Sequence, residues 1–335
     1  MNNSLSTKVK KQYAPVLIIA FNRSIHFHKT LSALSKNKLA KQTNLYVVVD
    51  GPRNKNDEAA QKLIFNSIKL VNDKFANITI KNNKSNKGLA ANIIDSVSNI
   101  INENGKIIVL EDDLITSRGF IKFMNDALEY YEKVKDVWHI SGNNIVSNEM
   151  KKNDIFLWRF MNCWGWATWK DRWQYFEKDP KSLIKTFDKD MIYRFNLNGV
   201  GTFWDQIEKN AQNKLNTWAI FWYATIFKKG GICVSPYFSY IKNIGFDGSG
   251  THCSKDTCEE DLVNYYPQLT RDIKEKPSNR KIVSNLLKAN KSSIIMRGKA
   301  ILKRKLGQKQ KMILTKFLSK LKLIFYKNDK LPPEP

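Results

Sequence analysis

Acidic residues are scarce: 31 Asp and Glu stand against 56 Lys and Arg, a net charge of +25 over 335 residues. That excess points to a polyanionic partner, whether nucleic acid, anionic lipid or a phosphorylated substrate, and composition does not choose among them. Cysteine is scarce too. Cys163, Cys233, Cys253 and Cys258 are irregularly spaced, which argues against a disulfide scaffold and for a reducing compartment. His252, Cys253 and Cys258 could begin a zinc site, but neither a C-x-x-C pair nor a second histidine follows. No apolar run approaches the roughly 20 residues of a membrane span. The first such run, Ala14 to Phe21, is short and has no cleavage site, so a signal peptide is not expected.

Glycine is missing where nucleotide folds often need it. None follows the first apolar run, Pro15 to Phe21, and there is no Walker lysine loop, which argues against a dehydrogenase or an NTPase. What the chain does have is 42% hydrophobic and 12% aromatic residues, ample for a packed core. After a polar, basic and loose stretch over residues 1–13, the run Pro15 to Phe21 reads as a buried strand, with Ser24 as cap of a helix carrying Phe27, Leu31 and Leu34. Leu45 to Val49 is a second strand, closing on the turn Asp50-Gly51-Pro52-Arg53, and a helix through Leu63, Ile64 and Ile68 follows. A short strand over Ile78 to Ile80, a polar loop and a helix through Ile93, Val97 and Ile101 lead to a fourth strand at Lys106. Four alternations of strand and helix predict right-handed βαβ units and a parallel sheet.

The fourth strand, Lys106 to Leu110, runs into Glu111, Asp112 and Asp113. A buried strand thus delivers three carboxylates to its carboxyl end, where open α/β sheets bind ligands. Packed acids repel unless a cation sits among them, and oxygen ligands suit Mg²⁺ or Mn²⁺, which bind phosphates in turn. The loops after strands one, two and four leave the same edge of the sheet, so Arg23, Asp50 and the acid trio should meet over one crevice.

Four motifs in order carry a resemblance: Asn22-Arg23 after the first strand, Asp50-Gly51 after the second, Lys87 to Asn92 (KGLAAN), and Val109 to Leu114 (VLEDDL). Together they resemble the GT-A glycosyltransferases, in particular the N-acetylglucosaminyltransferase I type and bacterial enzymes of surface-polysaccharide loci, over residues 14–260. The resemblance implies a Rossmann-like, mostly parallel central sheet with flanking helices and a nucleotide-sugar donor. In that scheme Asp50 accepts from the base and Arg23 holds base or diphosphate, with Lys87 in the same donor-binding set. Asp112 touches ribose or donor sugar, Glu111 binds sugar hydroxyls, and Asp113 ligates Mn²⁺ or Mg²⁺.

The second half changes character. Trp158, Trp164, Trp166, Trp169, Trp173, Trp204, Trp218 and Trp222 crowd together, and at least half of them are expected in the core. Cys163 to Trp169 reads as a loop entering a helix and resembles an acceptor-site loop, with Trp164 and Trp166 to stack on sugar faces and Gly165 to let the backbone approach. In the related type a catalytic base follows a Trp that lies at a fixed distance before a strand-end Pro. Counting back from Pro236 gives Trp218 and puts Ala219 at the base position. Alanine cannot take a proton, so the role falls to Asp247 or Asp205, with Asp247 preferred for its polar surroundings. The loop Lys242 to Cys253 carries three glycines and is suited to closing over a phosphate. By family analogy its His252 is a second metal-site candidate.

From Lys288 to Lys327 every charged side chain is basic. Leu314, Phe317, Leu318, Leu321 and Phe325 share a helical face, which suits a helix lying on an anionic membrane surface. The organisation expected is therefore a flexible segment 1–13, a nucleotide-sugar half 14–142, an acceptor half 143–262 of the same domain, and a basic amphipathic helical tail 263–335. The function expected is a metal-dependent and inverting transfer of sugar to a glycan hydroxyl, on a lipid-linked acceptor in surface-polysaccharide synthesis, by a cytoplasmic protein peripheral on the inner membrane. Two rivals are a nucleotidyltransferase, which should show a Gly-rich loop after strand one, and a nucleic-acid-binding protein, which should interleave basic and aromatic residues. Neither pattern is present, and no nucleic-acid partner is expected.

Overall fold

The computed structural model describes residues 12–143, 155–247, 262, 266–272, 274, 275 and 285. The chain divides into two compact units, Met1–Val283 and Ser284–Pro335, and the sheet with its flanking helices lies in the first. His252 and the amphipathic tail lie outside the described residues.

The strands and helices alternate as the sequence periodicity predicts through the first half: β1 (Val16–Ala20), α1 (Ser24–Ser35), β2 (Asn44–Val49), α2 (Lys55–Lys69), β3 (Asn77–Asn82), α3 (Leu89–Asn104) and β4 (Lys106–Glu111). Then come β5 (Leu114–Thr116), α4 (Phe120–Tyr131), β6 (Val137–Ser141), β7 (Ile155–Trp158), β8 (Trp166–Trp169) and α5 (Lys170–Trp173). Helices α6 (Pro180–Thr186), α7 (Lys189–Phe195), α8 (Trp204–Ala211) and α9 (Ala219–Lys228) precede β9 (Ile232–Pro236) and β10 (Ile241–Asn243).

Among the described residues one sheet of eight strands runs in the order β3-β2-β1-β4-β8-β6-β9-β7, and β5 and β10 form a separate antiparallel pair. The β3-β2-β1-β4 half is parallel throughout, whereas β8 is antiparallel to both β4 and β6, and β7 is antiparallel to β9. With β6 parallel to β9, only β8 and β7 oppose the common direction. The fold is thus mixed α/β with a mostly parallel central sheet flanked by helices.

Successive residues of β1 face opposite sides, as strand geometry requires. Val16 and Ile18 join Phe27, Leu31, Ile64 and Met124 in one core layer. Leu17 and Ile19 join Ile93, Val97 and Trp166 in the other. Because both faces are covered, β1 and β4 read as continuous aliphatic runs.

Two local expectations are corrected. Ser24 is the first helical residue of α1 rather than its cap; Arg23 holds the N-cap position and makes no side-chain capping bond. Its guanidinium is turned instead toward the carboxyl end of β4. Trp166–Trp169 is a strand and not the start of a helix. All four of its residues are buried, so it has no polar alternation by which a strand could be read from sequence.

Candidate functional site

The fold places the Arg23 guanidinium at the acid trio, 90 positions away in the chain, with Nη1 donating to Asp113 Oδ2 at 2.6 Å. The same guanidinium is 3.5 Å from Asp247 Oδ1. His26, one turn into α1, sits 3.0 Å from Asp247 Oδ2 and 3.1 Å from Arg23 Nη2. These four side chains form one polar network joining the loops after β1 and β4, helix α1 and the segment after β10. The sequence reading missed His26, although its i, i+3 spacing from Arg23 puts the two on one helix face.

Two features hold the late loop over the carboxylates. Asn243 pairs with Leu114 in the β5–β10 ladder, and Ile244 donates its N–H to the Asp113 carbonyl at 2.9 Å. Gly245 then passes so close to Asp113 that a Cβ there would collide with Oδ2. A side chain at this position would have to move the Asp113 carboxylate or the Arg23 guanidinium aside. Trp164 joins from the other side, its ring 5.5 Å from that of Phe246 and edge-on to it.

Glu111 and Asp112 carry the electrostatic tension of the site. Burial first, then the charges of Asp113 and Asp112, push Glu111 up to about 8; burial and Asp113 push Asp112 up to about 7, with Arg23 opposing both. Near neutral pH the trio therefore does not carry its full negative charge without a further cation. Asp112 is anchored at both ends, its Oδ2 accepting from Phe21 N and its carbonyl from Thr30 Oγ1.

Among the described residues no set of three His, Cys, Asp or Glu is arranged to enclose a metal ion. The donors do fit the other mode of binding Mg²⁺ or Mn²⁺, in which one or two carboxylates share the ion with water and substrate phosphates. Asp113, partly exposed and bonded to Arg23, could serve in this way.

Asp50 lies at the next strand end and is committed internally. Its carboxylate accepts from the N–H groups of Gly51, Lys87 and Gly88, each at 2.9 Å, and from Asn83. Burial opposes its ionisation, but these bonds together hold its pKa below the usual value. The carboxylate thus pins the segment that enters α3. Lys87 reaches it through the backbone, while its ammonium pairs with Asp95 at 3.1 Å on the surface. Gly51 is required here because a Cβ would strike the backbone of Ser85 and Asn86. A second bracket, also unread in the sequence, is Asp57: it binds Arg53 at 2.9 Å and Asn22 at 2.6 Å, and Arg53 chiefly holds it down to about 2.

Beside the acid trio is a groove of about 330 Å³ lined by aromatic and apolar side chains, among them Trp164, Phe203 and Tyr223, with Asn162, Gln206 and Ala219. Ala219, the expected base position, is therefore on a cleft wall. Asp205 is exposed in the first turn of α8 and its neighbour Gln206 lines the groove. Trp166 is only 1% exposed and lies among His139, Trp173 and Trp218. It presents no face to a ligand in this structure. Gly165 adopts φ +61° with Ile241 filling the space of a side chain, so packing accounts for this glycine.

The wall is braced from within by His139, which is fully buried. Trp222 Nε1 can only donate, so His139 Nδ1 accepts from it at 3.2 Å and Nε2 donates to the Asn162 carbonyl at 2.9 Å. Asn162 Oδ1 in turn accepts from the N–H of Trp164.

Comparison of the sequence with protein-family models gives no match, and comparison with curated protein sequences gives none. Among solved structures, the chain is similar to the mannosyltransferase PcManGT from Pyrobaculum calidifontis in complex with GDP-Man and Mn²⁺, at 10% identity and a TM-score of 0.37, over 65% of this chain and 70% of that one. It is also similar to residues 1–349 of S. aureus TarS, at 9% identity and a TM-score of 0.38, over 68% of this chain and 59% of that one.

Proposed function

We propose that the chain is a GT-A type glycosyltransferase that moves a sugar from a nucleotide-sugar donor to a glycan hydroxyl. The observation that carries this reading is the meeting of Arg23, Asp113 and the Gly245 loop at the carboxyl ends of the parallel strands β1 and β4. A diphosphate offers the charge that this arrangement is built to exchange. With donor bound, Arg23 would face the phosphates and Asp113 would be the carboxylate to hold Mg²⁺ or Mn²⁺. The ion, when bound, stabilises the negative charge that develops on the departing nucleoside diphosphate.

Glu111 and Asp112 border the same volume and take donor hydroxyls, Glu111 as a hydrogen-bond donor while it keeps its proton. Asp50 and Lys87 shape the base end by fixing the loop that opens α3. The groove below Trp164 receives the acceptor, so Trp164 contributes there, while Gly165 and Trp166 support it from behind. For an inverting reaction the base is Asp247 rather than Asp205, because Asp247 belongs to the network at Asp113 and Asp205, on α8, does not. A lipid-linked acceptor in bacterial surface-polysaccharide synthesis, reached by a cytoplasmic protein whose basic tail rests on the inner membrane, agrees with the charge of +25. No helix among the described residues is long and apolar enough to cross a membrane.

The test is calorimetry of nucleoside diphosphates and nucleotide sugars with and without Mn²⁺, on the wild type and on Asp113→Ala. The expected result is Mn²⁺-dependent binding of one nucleoside diphosphate, lost in the variant. Absence of binding by every nucleotide to the wild type overturns the proposal.

A further inference from the structure

Helix α1 starts at the acid cluster and leads away from it, and its far half forms one wall of a second depression of about 450 Å³ that sugar transfer does not use. Lys29, Ser32, Ala33 and Lys36 line that wall, Ile115, Thr116, Ser117 and Arg118 line the other, and Leu262 adds an apolar contact. The α1 residues are spaced i, i+3, i+4, i+7, which is a single stripe along a helix. Small residues occupy the middle of the stripe and a lysine stands at each end, so the wall is concave between two cations. Arg118 faces them across the gap.

The electrostatics are one-sided. No carboxylate is among the described residues that line the depression, and Lys29, Lys36 and Arg118, all exposed, belong to none of the ion pairs among the described residues. Elsewhere on this surface cations do find partners: Lys122 bonds to Asp126, and Arg53 to Asp57. Beneath the groove Ser117, 5% exposed, has a hydroxyl with no hydrogen-bond partner. Buried hydroxyls usually have one, so this one is left to solvent or to a polar ligand entering the groove. Three unpaired cations, two further hydroxyls on Ser32 and Thr116, and an open shape suit a phosphate group better than a carboxylate or an apolar ligand.

We infer that the groove between α1 and the Ile115–Arg118 segment is a phosphate-binding site distinct from the donor site. Its ligand is a phosphate ester or diester, supplied either by phospholipid headgroups at a membrane surface or by a soluble phosphorylated molecule. Lys29 follows Arg23 by six residues, about 9 Å of helix rise at ~1.5 Å per residue. A phosphate held here therefore lies within reach of a substrate whose hydroxyl sits at the acid cluster. The groove stands apart from the transferase reading, because its charges are ones that the catalytic network leaves untouched.

The experiment compares three full-length proteins: the wild type, a groove variant (Lys29→Gln, Lys36→Gln, Arg118→Gln) and a control (Lys181→Gln, Lys185→Gln, Lys189→Gln) with the same change in net charge on α6 and α7. All three keep the basic tail, so differences among them report on the groove. One arm measures sedimentation with vesicles of phosphatidylcholine containing phosphatidylglycerol, and the other titrates inorganic phosphate and pyrophosphate by calorimetry. A loss of about tenfold or more in the groove variant alone, on the scale expected for a few basic residues at an anionic surface, supports the site. Loss in the vesicle arm assigns it to a membrane, and loss in the phosphate arm to a soluble ligand. Equal binding by all three proteins, or an equal loss in the control, overturns it. Thermal unfolding that matches across the three shows that folding is intact.

Discussion

The two halves of the sheet are built from different materials. In β3-β2-β1-β4 the buried strand residues are aliphatic and polar groups stand at strand ends, as Asp50 does, held by Gly51, Lys87 and Gly88. Around β8-β6-β9-β7 the packing is aromatic: Trp166, Trp173, Trp218 and Trp222 stack or tilt against one another at 5.0 to 5.6 Å. One half keeps charge in place with hydrogen bonds, and the other keeps a cleft wall in place with indoles. Damage to the first should therefore appear as lost chemistry, and damage to the second as lost stability.

The sharpest break is Asp113→Ala. The proposed sugar transfer should fall by about a thousandfold or more, as when a charge-stabilising group is removed from an active site. The melting temperature should hold or rise, because the variant relieves the repulsion on Glu111 and Asp112. Next is Trp166→Ala in the aromatic half, with an expected cost of about 3–5 kcal/mol and little change in nucleotide affinity in the protein that remains folded. Denaturant melts and calorimetry on the pair separate the two regions, and a large stability loss in Asp113→Ala would refute the contrast.

Acid should weaken the aromatic half first. Burial lowers His139 from 6.5 to about 4, so the unfolded chain takes up the proton before the folded one does. The stability contributed by the neutral imidazole is fully present above pH 6.5 and lost as pH falls from there toward 4, a total of about 3 kcal/mol at 1.36 kcal/mol per unit. His139→Asn should flatten the pH dependence of denaturant midpoints in that window. For Asp57 the loss begins only below 3.8, as pH falls toward 2, and the same titration in Asp57→Asn checks it.

A smaller effect is expected from Asp50→Asn, which leaves one amide group facing donors that had a carboxylate. A cost of about 2 kcal/mol follows from unsatisfied buried donors, and amide exchange should rise at Lys87 and Gly88 while the aromatic half keeps its protection. Lys87→Gln is the mildest test. Its exposed pair with Asp95 is worth well under ~1 kcal/mol, so unchanged melting is the expected result.

The site was readable where a residue's position along a strand settles its place in space. Glu111, Asp112 and Asp113 end an aliphatic run, and a buried strand in a parallel sheet can only deliver them at its carboxyl edge. Arg23 was readable for the same reason. Asp247 was reachable only as one of two candidates, since nothing in the chain says that β10 pairs with β5. Asp57 and His26 look like ordinary helix residues until tertiary contacts give them partners.

Local periodicity and strand-end chemistry thus specify three βαβ units, an acid trio at a sheet edge and a core with aromatic excess, because each depends on neighbours a few residues apart. Only the folded chain decides that β8 enters between β4 and β6, that Trp166 is interior, that Asp50 is committed to backbone amides, and that α1 carries an unpaired basic groove. Those outcomes depend on contacts between distant segments, as in the bond from Arg23 to the Gly245 carbonyl, 222 positions apart. Such contacts form through competition for a limited number of partners, which no single segment encodes.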